Sequence, residues 1–120
     1  DTAKLGDFTD RLLEVNPDLT DFSYAAESYD AVVLLALAAL AANSTDGKAI
    51  ASKLQEVSGG SGDGTKATDF ASAAQIILDG GVVDYDGNSG PITFDENGDP
   101  TEATIGIFQY GPDNTYKRIN

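Results

Sequence analysis

The chain has 120 residues, 41% of them hydrophobic, enough for one domain with one core and too apolar for a disordered segment. Twenty acidic residues against seven Lys and Arg give a formal net charge of −13, which excludes nucleic acid and anionic membrane surfaces as partners. The absence of both Cys and His removes disulfides, a thiolate nucleophile, an imidazole base and the commonest metal ligand.

Leu5, Phe8, Leu12, Leu13 and Val15 fall near helical spacing, so a first helix is predicted over 4–15, stopped by Asn16-Pro17. A connector with Leu19 and Phe22 leads to the central stretch Tyr24–Asn43, one helix of about five turns. Ser23 is its expected N-cap, and Glu27 and Asp30 lie near its start, where the helix dipole favours negative charge. From Ala31 to Ala42 no polar residue occurs, which predicts burial on more than one side. That run is shorter than the roughly 20 residues a membrane span needs. A third helix over 46–57 follows, capped by Ser44 or Thr45, with Ile50, Leu54 and Val57 as its apolar stripe. Ser58–Gly64 reads as a flexible loop. A fourth helix over 68–79, capped by Thr68, buries Phe70, Ala73, Ala74, Ile77 and Leu78 and ends at Gly80-Gly81.

From Val82 the pattern changes to period two. Val82–Tyr85 is a short extended piece, and strands are predicted over 91–95, 103–110 and 115–119. Tight turns at Asn97-Gly98 and Gly111–Asn114 make them antiparallel. The isolated chain is thus expected to be α+β, four helices followed by a small antiparallel β region.

No catalytic constellation is present: the carboxylates sit in turns and at helix starts, and Ser and Thr have no imidazole partner. Gly59 and Gly64 have the gap of a phosphate-binding loop, but Thr65-Lys66 inverts the required order. Gly62-x-Gly64-x-x-Ala67 follows a predicted helix where a dinucleotide fingerprint follows a strand, so a plain linker is the reading. No cofactor and no resident metal are expected. Asp84, Asp86 and Asn88 match the first, third and fifth positions of a calcium loop, but Ser89 replaces the glycine at the sixth and Asp95 stands at the twelfth. Turn formation is the reading these residues favour, with a calcium site as the alternative. Tyr24 and Tyr29 flank the first turns of the central helix, either packing there or, for Tyr24, lining a ligand cleft.

The run Tyr85-Asp86-Gly87-x-Ser89-Gly90-Pro91-Ile92-x-Phe94-Asp95-Glu96-Asn97-Gly98-Asp99, continued by Gly106–Tyr110, resembles the end of the type I periplasmic (solute) binding proteins. These are the receptors of the branched-chain amino-acid class of ABC importers. Ala25–Ala31 is similar to a late helix of that family, and Ser44–Gly47 to the turn after it. The resemblance implies an α/β fold, with 1–120 as a single C-terminal fragment of a two-lobed receptor. Residues 1–79 would be its helical part and 80–120 its β and crossover part. It implies a non-enzymatic, extracytoplasmic (periplasmic or cell-surface lipoprotein) receptor that captures a small solute, an amino acid or similar, for an ABC transporter permease. The position matching Tyr24 is an aromatic wall of the solute pocket in that family, so Tyr24 is the one expected ligand-binding residue. Cut from its sheet, the helical part would leave apolar stripes exposed and the isolated chain would form a homo-oligomer. The competing expectation is a stand-alone interaction or structural module, steadied by calcium.

Overall fold

The computed structural model describes residues 2–103 and 105–120, with side chains from Leu5 onward. Four helices form where periodicity places them: α1 (Thr2–Val15), α2 (Ala25–Ala42), α3 (Gly47–Val57) and α4 (Phe70–Leu78). Their N-caps differ from the expected ones. Asp46, not Ser44 or Thr45, caps α3, its carboxylate accepting from the backbone N–H of Lys48 at 3.0 Å and Ala49 at 3.1 Å. Asp69, not Thr68, caps α4 by accepting from Ser72 N–H at 3.0 Å. In both places a charged acceptor faces the positive end of the helix dipole, which favours it over the neighbouring hydroxyl. Ser23 does not cap α2; Tyr24 occupies that position in the left-handed region, φ 61°, with no side-chain cap.

The core gathers on one face of α2. Val33, Leu34, Leu37 and Ala38 are buried there with Val57, Ala67, Ala73, Val83 and Tyr85. The expectation that α2 is buried on more than one side is corrected, since Val32 and Leu35 remain 67% and 49% exposed. The helix is apolar and long enough to cross a membrane, a test that core helices also pass, and here α3 and α4 pack along it. In α4 the buried face also shifts: Phe70 and Leu78 are exposed, and Ile76 packs against the core beside Ala74 and Ile77.

A parallel strand pair stands where the period-two pattern predicted none. β1 (Thr65–Ala67) and β2 (Val83–Tyr85) pair in parallel, Lys66 opposite Asp84, with α4 as the crossover. This is a minimal βαβ unit, and it makes the fold α/β in its own right. The loop before β1 is less free than its glycines suggested. Ser58 is fully buried, donates to the Gln55 carbonyl at 3.1 Å and accepts from Phe94 N–H at 3.1 Å. Gly60 packs so closely that a Cβ would strike the Phe94 carbonyl.

The predicted strand over 91–95 is reduced to one bridge between Phe94 and Pro100. Pro91 and Pro100 have no N–H to give to a ladder. The turn itself forms, with Asp95 accepting from Asn97 N–H at 2.8 Å and Asp99 N–H at 2.9 Å. β3 (Phe108–Tyr110) and β4 (Tyr116–Arg118) make an exposed antiparallel hairpin inside the last two predicted strands. Residue 104, within the strand expected over 103–110, lies outside the described residues.

Candidate functional site

Asp30 is one turn and a half into α2 and only 1% exposed. A carboxylate has two oxygens and about four lone-pair sites, and here all are used. Oδ1 accepts from the Tyr85 hydroxyl at 2.9 Å and from Asn88 N–H at 3.0 Å. Oδ2 accepts from Ser89 N–H at 2.6 Å and the Ser89 hydroxyl at 2.7 Å. The segment from Tyr85 to Ser89 thus wraps the carboxylate, and Gly87 lets the backbone pass against it, since a Cβ at Gly87 would overlap the Asp30 carboxyl. Burial, then the negative charge and hydrogen bond of Asp30, push the Tyr85 phenol well above its ordinary value.

This knot joins the two walls of an open groove of about 390 Å³. Glu27, Ala31 and Leu34 of α2 form one wall; Ser89, Ile92 and Phe94 belong to the other. The helical spacing of 27, 31 and 34 puts those three on one face. The lining is mostly apolar and also carries the carboxylates of Glu27, Asp30 and Glu102, so the groove offers apolar contact beside acidic groups.

Tyr24 lies one residue before α2, with its side chain 78% exposed, and it is not among the residues that line the groove. Tyr29 turns the other way: its ring meets Phe8 edge-on at 5.4 Å, with the Arg11 guanidinium 5.9 Å from the ring centre, and so fastens α1 to α2. Tyr29 is therefore a packing residue. The calcium spacing does not produce a cage. Asp84 and Asp86 both face Lys66 Nζ, at 3.2 and 2.6 Å, and together hold the ammonium pKa above its ordinary value. Asn88 donates its backbone to Asp30. Among the described residues no group of three or more acidic side chains could hold a metal ion.

Sequence reasoning placed Asp30 only as a charge near a helix start. The signal that would have found it is a lone acid at i, i+4 and i+7 from Leu34 and Leu37, on the buried face of an otherwise apolar helix.

Comparison with known proteins agrees with this architecture. The family described as receptor family ligand binding region matches residues 3–113. The chemotactic signal transduction system substrate-binding protein BasB of Halobacterium salinarum is 35% identical over 85 residues, 70% of this chain and 21% of that protein. The chain therefore spans about a fifth of the length of this curated relative. No solved structure matches.

Proposed function

This chain belongs to the receptor family ligand binding region, of the type I periplasmic binding protein kind, and on that premise we propose that it is the C-terminal part of an extracytoplasmic solute receptor. In this reading residues 1–79 supply the mainly helical part, with β1 among its helices, and 80–120 the β and crossover part. The receptor captures a small solute, an amino acid or similar, and hands it to an ABC transporter permease. Its role is binding without turnover. The observation that carries the reading is the open groove where the start of α2 meets the segment after β2, in a chain of a ligand-binding family. The acidic surface suits high ionic strength, where charge repulsion is screened over a short distance.

Tyr24, at the start of α2 and outside the groove's own lining, is the ligand-facing residue of this reading. A tyrosine held at φ 61° is costly backbone, and such residues gather at binding sites, where the surrounding structure sets them. Its exposed ring at the end of α2 is free to stack against a solute's apolar part, while the solute's charged ends are held by other parts of the receptor. The 120-residue chain alone therefore binds amino acids at best in the millimolar range, roughly −4 kcal/mol. In the complete receptor Tyr24→Ala costs on the order of 1–3 kcal/mol of affinity. Calorimetry on both proteins is the test. Micromolar binding by the chain alone, or an unchanged affinity in the substituted receptor, would displace the pocket from Tyr24.

The chemotactic signal transduction system named for the halobacterial relative favours a second downstream partner, a signalling system in place of the permease. Deleting the gene separates the two: lost uptake of the solute identifies the importer, and lost attraction with intact uptake identifies the signalling system.

A further inference from the structure

We propose that Asp30 is a positioning residue for solute capture, its carboxylate setting the separation of the groove's two walls. The inference rests on reading the groove as part of the solute cleft. Asp30 sits on the same helical face as Glu27, Ala31 and Leu34, so it is part of one wall, while Asn88 and Ser89 begin the other. The three hydrogen bonds from Asn88 and Ser89, at 2.6–3.0 Å, span the two walls directly. Tyr85 Oη, fully buried in the core, anchors the same carboxylate from below. The wall cannot move inward because the Gly87 backbone passes so close to the carboxyl that even a Cβ there would overlap it. It cannot move outward without leaving buried donors and a buried charge unpaired. A device with both limits fixes a spacing, and the spacing of apolar walls decides which side chain fits between them.

An asparagine at 30 keeps the shape but turns an NH2 towards Ser89 N–H, setting donor against donor. Gly87→Ala keeps the carboxylate and drives a methyl into it. Both changes should release the second wall. The chain has no Cys, so Glu27→Cys on α2 and Glu102→Cys off it place nitroxide labels at two exposed lining positions and nowhere else in the chain. Spin–spin broadening then reads the groove width without any ligand. Asp30→Asn and Gly87→Ala are expected to lengthen and broaden the distance distribution. They should also weaken L-leucine binding at least threefold in a chemical-shift titration. Leu37→Ala, in the core and outside the groove, serves as the control for general destabilisation: it lowers Tm at least as much and alters neither reading. An unchanged width in both groove variants, or the same change in Leu37→Ala, overturns the proposal. So does a widened groove that binds L-leucine as before. If neither L-leucine nor L-arginine binds the complete receptor, the solute reading falls, and the label distances still decide whether Asp30 sets the width.

Discussion

The Tyr85 hydroxyl shows how much one polar contact carries. Its ring is fully buried in the core and its Oη donates to Asp30. Tyr85→Phe removes one of four donors around a buried carboxylate. Hydrogen bonds to charged groups contribute about 1.5–3 kcal/mol, so urea unfolding at neutral pH should show a loss of that size. The pH dependence has a definite sign. The phenol pKa is raised in the folded protein above its ordinary 10.0, chiefly by burial. The stability tied to its neutral form is therefore fully present below pH 10 and is lost as pH rises beyond it. The gap between the native chain and Tyr85→Phe should hold to about pH 10 and narrow above it, because the phenylalanine has nothing to ionise. A gap that widens in alkali would contradict the assignment.

At the scale of elements, the helix starts are held by carboxylates. Asp69 accepts from the Ser72 hydroxyl and then from its backbone N–H, and these bonds lower its pKa from the ordinary 3.8. Its contribution is present above 3.8 and lost as pH falls below that value. Asp69→Ala should cost about 0.5–1 kcal/mol at neutral pH, the low side of the usual cap range because the site is exposed. The difference should shrink towards pH 3; a constant difference across that window would show that the charge plays no part. α4 matters beyond its own length, since it is the crossover that lets two three-residue strands run parallel. Strands so short are marginal alone, and Ala67, Val83 and Tyr85 are held by packing against the helices.

At the scale of the whole molecule, the radius of gyration is 16.4 Å, where a compact domain of this length has about 14 Å. The C-terminal hairpin is exposed on both strands, with Phe108 and Tyr110 each packing edge-on against Tyr116. Val32, Leu35 and Leu78 add apolar surface on the helical side. Area of this kind favours association, so the 120-residue chain should scatter light with a mass above 12.5 kDa that rises with concentration. A constant 12.5 kDa at high concentration, with no binding of a dye for exposed apolar surface, would defeat this expectation.

The helices, their ends at Pro17 and Gly80, the Asn97-Gly98 turn and the family likeness were all present in the sequence alone. Each depends on residues close together in the chain: apolar spacing over a few turns, a proline without N–H, a glycine that accepts φ 82°. Short runs in the C-terminal part carried the likeness, and the match over 3–113 agrees with it. The caps of α3 and α4 lie one or two residues beyond the expected hydroxyls because hydroxyl and carboxylate neighbours compete there, and α2 takes no side-chain cap at all. The parallel pair and the Asp30 knot were decided only by the tertiary structure. Three-residue strands are too short to show a period of two, and their pairing joins residues on either side of a helix. The partners of Asp30 lie 55 to 59 positions along the chain, so no local pattern announces them. An acid near a helix start looks the same whether it meets solvent or four donors. Only the folding of Tyr85–Ser89 back onto α2 distinguishes the two, because burial turns an exposed charge into one whose every lone pair must be matched.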